Sequence, residues 1–278
     1  MNETTKRPSV LVTNDDGIQS HFMWALIEAL DEHFDVTVVA PDGERSWTGR
    51  GFSRSGTLTL KPQERARTYT LDGTVSDCVN IGIAHLMDAK PDVVVSGINL
   101  GFNMSLPLVS TSGTVAGALE AALWGVHGVA SSFHIPFDVF ESVKASHGEM
   151  DGDLLAALKA SAQRTTQYAL SLVNTPCTQT VVHNLNFPSQ MNADTELEEV
   201  NLSNMKLGSL FAKTERNQFT FKFPEKREPV YFAETTDFMA LKRGNASVCC
   251  LNYDHLTPRP QSTFPTKDRN LNTGKLLN

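Results

Sequence analysis

Near its start the chain carries a run in which apolar and β-branched residues follow one another without alternation, Val10-Leu11-Val12-Thr13, and the run ends in Asn14-Asp15-Asp16-Gly17-Ile18. Such a run predicts a short strand buried on both faces, as in a parallel sheet covered by helices. Two further runs repeat the pattern: Val36 to Ala40, ending in Pro41-Asp42, and Val93-Val94-Val95, ending in Ser96-Gly97-Ile98-Asn99. Between the first two, Phe22, Ala25, Leu26, Ala29 and Leu30 recur at helical spacing, so the opening reads as a right-handed βαβ unit. Later helices are predicted from Ser76 to Met87 with Thr74 or Ser76 as cap, from Val115 to Leu123 after Ser112-Gly113-Thr114, and from Leu154 to Val173. The last would pack through Leu155, Leu158, Ala162, Ala169 and Leu172. Tyr69 to Leu71, Val126 to Ser131 and Thr180 to Leu185 read as strands, with an irregular loop after Ser131.

The long polar excursion from Gly43 to Lys61 interrupts this texture, with a partly alternating stretch from Ser53 to Leu60 that predicts a small hairpin. From about Asn192 the pattern changes again, to short alternating segments such as Phe219-Thr220-Phe221-Lys222-Phe223 and charged runs such as Glu225-Lys226-Arg227-Glu228. The expected organisation is an α/β core over 1–191, a β-rich appendage over 192–257 and a poorly ordered tail over 258–278.

Composition narrows the function classes. The formal net charge of −7 and the pI near 5.6 argue against a surface built to wrap a nucleic-acid backbone. The four cysteines, Cys78, Cys177, Cys249 and Cys250, are too few for a disulfide framework and form no Cys-x-x-Cys motif. No apolar run approaches the ~20 residues of a membrane helix, and Met1 to Pro8 has no apolar signal core, so the expected location is the cytoplasm, away from any membrane.

The chemistry-bearing residues gather at predicted strand ends, where ligands collect in open α/β sheets. Asp15 and Asp16 follow the first strand, with Gly17 allowing a sharp turn. Two carboxylates this close repel unless a cation lies between them, and a hard divalent ion is the simplest such cation. Ser46 in the loop after the second strand and Asn99 after the third would add neutral oxygens. Asn103 and the helix start at Ser112, Gly113 and Thr114 would lie close by, ready to donate to an anion. Singly, each residue reads better as a turn, loop or cap residue. Phosphate loops of the Gly-x-x-x-x-Gly-Lys type, Gly-x-Gly-x-x-Gly, His-Glu-x-x-His and Gly-x-Ser-x-Gly are all missing.

In order and spacing, this set resembles the SurE family of metal-dependent nucleotidases. The matching pieces are Val-Thr-Asn-Asp-Asp-Gly-Ile at 12–18, Val-Ala-Pro-Asp and Glu-Arg-Ser within 39–46, Gly-Thr-x-x-Asp-Cys-Val at 73–79, Val-Ser-Gly-Ile-Asn-x-Gly-x-Asn-Met at 95–104 and Ser-Gly-Thr-Val at 112–115. The second half matches more faintly, through Asn184-Leu185-Asn186-Phe187-Pro188 and the stretch from Asp254 to Pro258. The resemblance implies a Rossmann-like three-layer core with a mostly parallel sheet and a small β-rich C-terminal appendage. It implies one Mg²⁺ or Mn²⁺ per subunit held by Asp15, Asp16, Ser46 and Asn99, and phosphate contacts from Asn14, Asn103, Ser112, Gly113 and Thr114. It also implies hydrolysis of nucleoside 5'- and 3'-monophosphates and short polyphosphate, and a homodimer or homotetramer with exchanged C-terminal segments. Asp15 and Asp16 would be the catalytic carboxylates. Val75, Ser105 and His21-Phe22 depart from the family pattern without removing an expected ligand. Two rival readings remain at this point: an aspartyl-phosphate phosphatase of haloacid-dehalogenase type, which wants Asp-x-Asp, and a non-catalytic Mg²⁺-binding receiver module.

Overall fold

The computed structural model describes residues 7–223, 228–231 and 233–256. In chain order the first half holds β1 (Ser9–Thr13), α1 (His21–Asp31), β2 (Asp35–Pro41), β3 (Leu60–Pro62), β4 (Thr68–Leu71), α2 (Val75–Ile81), β5 (Val93–Leu100), α3 (Leu106–Thr111) and α4 (Gly113–Leu123). The second half holds β6 (His127–Phe133), α5 (Phe137–Ala145), α6 (Gly152–Leu172), β7 (Val181–Phe187), β8 (Leu197–Glu199), β9 (Asn204–Lys206), β10 (Phe211–Glu215), β11 (Gln218–Phe221), β12 (Glu228–Tyr231), α7 (Asp237–Lys242) and β13 (Ala246–Asn252).

Nine strands form one sheet in the order β3-β4-β2-β1-β5-β6-β7-β13-β8. Pairings from β4 through β7 are parallel, whereas β3 lies antiparallel on β4 and β13 antiparallel on β7. The lack of alternation in β1 has a direct cause. Val10 and Val12 point into one apolar layer with Phe22, Leu26 and Leu30 of α1 and Leu158 and Ala162 of α6. Leu11 points the other way, to Val39, Val79 of α2 and Ala121 of α4. With a helical layer on each face, every position of the strand is core, and each such side chain contributes about 2 kcal/mol of transfer free energy. No helix among the described residues is long and apolar enough to cross a membrane.

Several local expectations need correction. The hairpin lies one step later than the alternation suggests: Leu60 pairs with Leu71 and Pro62 with Tyr69, while Ser53 and Thr59 give their amides to the side chains of Asp77 and Asp72. The loop after β6 contains α5, a short helix that buries only Val143, packs Val139 and Phe140 part-way onto the core and leaves Phe137 95% exposed. β5 continues to Leu100, well past Val95. In α6, Leu158, Ala162 and Ala169 are buried, but Leu155 and Leu172 are only half-buried. The cap of α2 is Thr74, in a reciprocal box with Asp77, and a single π-type turn, Gly82–Leu86, carries the chain on.

The segment after Asn192 contributes β8 and β13 to the main sheet and two separate antiparallel pairs, β9 with β12 and β10 with β11. The charged run over 225–227 and the tail over 258–278 lie outside the described residues.

Near the amino end of β7, the His183 ring shares a hydrogen bond of 2.9 Å with the Tyr168 hydroxyl, stands 3.7 Å from Cys250 Sγ, and has His127 at a ring separation of 6.1 Å. Burial, and secondarily His127, lowers its pKa to about 4. Between pH 6.5 and 4 the folded chain therefore binds fewer protons at this site than the unfolded chain. The contribution of His183 to stability is complete above about pH 6.5 and is lost as the pH falls through that window, at up to about 1.4 kcal/mol per pH unit. His183→Gln is expected to flatten the loss of stability between pH 7 and 5, read from urea midpoints at the two pH values. An unchanged gap between the midpoints would refute the assignment.

Candidate active site

The strand order reverses between β1 and β5, with β2 and β4 on one side and β6 and β7 on the other. A crevice at such a switch point, beyond the carboxyl ends of the strands, is where open α/β sheets bind ligands. The loop after β1 enters it. Asp15 is held by α4: Oδ1 accepts from Thr114 Oγ1 at 2.6 Å and Oδ2 from the Thr114 amide at 3.2 Å. Asp16 is held by β5, with Oδ2 accepting from the Leu100 amide at 3.0 Å. The loop after β2 closes on the same point, since the Arg45 amide donates to the Asp15 carbonyl at 2.7 Å.

Two glycines make these approaches feasible. Gly97 has φ +131, and a Cβ there would stand 2.3 Å from the Ser131 carbonyl oxygen. The β5–β6 register shifts between Ser96 and Asn99, and this bulge re-aims the strand end toward Asp16. The Gly97–Ile98 peptide bond is cis. At the head of α4, a Cβ on Gly113 would lie 2.7 Å from Asp15 Cβ and 2.8 Å from its Oδ2. The helix start and the carboxylate can meet only because that position has no side chain.

The electrostatics are unbalanced. Burial first, and then Asp15, push Asp16 up to about 8, with Glu44 adding to the effect, while the Leu100 amide and Lys144 pull it down. Asp15 is buried and Asp16 half-buried. Burial also raises Asp15, opposed by its bonds to Thr114. Lys144 of α5 pairs with Glu44 at 2.9 Å and is itself half-exposed, so the protein's own cation is largely spent there. Two enclosed carboxylates of raised affinity for protons are a donor set suited to a divalent cation. Among the described residues no three His, Cys, Asp or Glu side chains are grouped to hold a metal, so any ion at this point would rely on the aspartate pair and neutral oxygens.

A model of the family described as "Survival protein SurE" matches residues 10–211. The chain belongs to the SurE family. A protein of Geobacter metallireducens described as "5'-nucleotidase SurE" is 33% identical over 93% of this chain and 97% of its own. One of the same description from Geobacter sulfurreducens is 34% identical over 88% of each chain. A third, from Caldanaerobacter subterraneus, is 45% identical over 45% of this chain and 51% of its own length. Among solved structures, the SurE protein of Aquifex aeolicus superposes with a TM-score of 0.69 at 25% identity, covering 90% of this chain and all of that one.

In this SurE fold the residues singled out by sequence occupy the crevice in different ways. Ser46 directly follows Arg45 on the loop bonded to Asp15, and Asn99 directly precedes Leu100, the donor to Asp16. Asn14 gives its amide nitrogen to the Gly17 carbonyl at 2.9 Å, shaping the loop, while its buried Oδ1 has no partner. Ser112 caps α4 by accepting from the Val115 amide. The amide and hydroxyl of Thr114, expected to face phosphate, are both directed at Asp15. Asn103 is embedded in a polar lattice: its side chain donates to Ser132 Oγ at 2.9 Å and its amide to Asn186 Oδ1 at 2.8 Å. Asn184 and Asn186 donate back to its carbonyl. These two asparagines alternate on the buried strand β7, a pattern visible in the sequence as Asn184-Leu185-Asn186. Arg45 and Arg50 on the same loop are paired with Asp42 at 2.8 Å and with buried Glu120 at 2.7 Å.

Proposed function

We propose that this chain is a divalent-metal-dependent phosphomonoester hydrolase acting on nucleoside 5'- and 3'-monophosphates. The observation that carries the reading is the pair Asp15 and Asp16, enclosed side by side at the sheet's switch point and each fixed by a donor from a different element. The nucleotidase description of relatives aligned along nearly the whole chain supports the same substrate class. Asp15, Asp16, Ser46 and Asn99 would hold one Mg²⁺ or Mn²⁺, which supplies charge neutralisation at a phosphoryl oxygen and a more acidic bound water.

The chain's own residues do the rest. Thr114 and the Leu100 amide fix the two carboxylates so that little reorganisation is needed when a cation and phosphate arrive. Either aspartate, once ionised beside the cation, can orient the attacking water and accept its proton. The start of α4 at Ser112 and Gly113 offers its helix terminus to developing negative charge, while Thr114 is committed to Asp15. Asn14 and Asn103 would complete the phosphate pocket, with Asn184, Asn186 and Ser132 keeping Asn103 in position.

The same reading extends to short polyphosphate and to a homodimer or homotetramer with exchanged C-terminal segments, which light scattering of the purified chain would size. The direct test is a turnover panel of nucleoside 5'- and 3'-monophosphates, short polyphosphate and an aryl phosphate, with Mg²⁺, Mn²⁺ or chelator. Multiple turnovers with either ion and near-complete loss in chelator are expected. Stoichiometric labelling by a small phosphodonor without turnover would overturn the reading in favour of a receiver-like module.

A further inference from the structure

The loop after β2 carries one feature the phosphate chemistry does not use. Trp47 follows Ser46 directly and has φ +63, a left-handed backbone that a bulky residue rarely adopts. The loop is pinned on both sides of it: Arg45 donates to Asp15 at 2.7 Å, Thr48 Oγ1 to the Arg45 carbonyl at 2.8 Å, and the Gly49 amide to the Thr111 carbonyl at 2.9 Å, beside the α4 cap. Trp47 therefore stands on the rim between the two carboxylates and the start of α4. The residue is 39% exposed. The β10–β11 hairpin reaches across to meet it, placing the Phe221 ring 5.0 Å and the Phe223 ring 6.0 Å from the indole at inclinations of 59° and 58°. Phe211 backs Phe221 edge-on at 6.1 Å. On the far side, Arg50 is paired with Glu120 and lies over the Phe52 ring at 5.0 Å, so the loop is fixed there as well.

We propose that Trp47 and Phe221 form a stacking subsite for the nucleobase of the substrate, making this chain discriminate nucleotides from phosphate esters that lack a base. The inference rests on the nucleotidase reading above and concerns the far end of the same substrate. The pinned loop holds a large flat ring partly exposed close to the carboxylates, and a base stacked on it would remove apolar surface from water. Stacking is tolerant of base identity, because every base has a π face, and a purine covers more of the platform than a pyrimidine.

The test compares kcat/KM for adenosine 5'-monophosphate with that for ribose 5-phosphate, in the wild-type chain and in variants. The wild type should favour the nucleotide. In Trp47→Ala the preference ratio should fall about ten-fold, through KM and with little change in kcat, on the scale of losing one base–aromatic stack. Trp47→Phe should keep most of the preference, Phe221→Ala should lower it, and Phe137→Ala, an exposed aromatic off the platform, should leave it unchanged. An unchanged ratio in Trp47→Ala and Phe221→Ala overturns the proposal. So does an equal loss on both substrates accompanied by a change in mass on light scattering, which would make the aromatic patch a contact between copies. A wild type that turns over both substrates equally defeats the platform alone, whereas a wild type that turns over neither with any divalent ion defeats the nucleotidase reading.

Discussion

Asp16→Asn is expected to lower phosphatase turnover by at least about a hundred-fold, the scale of losing one transition-state electrostatic contact, and at the same time to stabilise the metal-free protein at neutral and alkaline pH. The two effects have one cause. Burial and the neighbouring Asp15 disfavour the charged form of Asp16 and push its pKa up to about 8. A carboxyl whose folded pKa is raised contributes stability that is complete below its unfolded value near 3.8 and is lost as the pH rises through about 8. The asparagine keeps the shape and can still accept from the Leu100 amide, but it cannot ionise, so the alkaline loss disappears. Without the charge, however, half of the anionic attraction for a divalent ion is gone. Thermal melting in chelator at pH 6 and 8.5, together with turnover under saturating Mn²⁺, separates these contributions. Undiminished turnover in the variant would remove Asp16 from the site, and a melting temperature that falls equally at both pH values would mean that its raised pKa does not reflect a strained charge.

The parts of this protein that could be read from its sequence are those in which local pattern and tertiary environment agree. Val10 to Thr13 show no alternation because both faces are buried, and the same holds for Val36 to Ala40 and for Val93 to Val95. Ser112, Gly113 and Thr114 announce the start of α4 in three consecutive residues. Less legible is the partner of Asp15, since Thr114 lies 99 positions away and the two meet only through the strand order. Glu120 is a similar case: on sequence it is one polar residue in an alanine-rich helix, yet its carboxylate is buried against Arg50, Asn80 and Trp124. That arrangement makes Arg50 an anchor for the loop. β13 returns to the main sheet through backbone pairing with β7, which leaves no trace in side-chain alternation. The bulge at Gly97 leaves only a glycine as its sequence mark.

Asp237→Ala should be the most destabilising single change in the C-terminal part, at about 3 kcal/mol, because it strips buried amides of their acceptor. Asp237 opens α7 and is fully buried, and its two oxygens serve three elements. Oδ2 accepts from the Ser105 amide at 3.0 Å, and Oδ1 from the amides of Ser203 at 2.9 Å and Phe238 at 2.8 Å. Ser105 sits at φ +66, so its bond to Asp237 helps to hold a backbone conformation that serine does not favour. The Leu106 amide reinforces the link by donating to the Ser203 carbonyl at 3.0 Å. Removing the carboxylate loosens the junction between the start of α3 and the segment leading into β9, only two residues beyond Asn103. For a chain of this size the loss corresponds to a fall of roughly 8 °C in melting temperature. Asp237→Asn, which keeps one carbonyl oxygen in place, should lose about half as much. Ser105→Gly, which relieves the strained backbone, should recover part of the stability when combined with Asp237→Ala. Equal melting temperatures for the wild type and Asp237→Ala would show that the junction is held by β9 and α3 packing alone. An Asp237→Asn variant as unstable as the alanine would show that the charge, not the acceptor geometry, secures it.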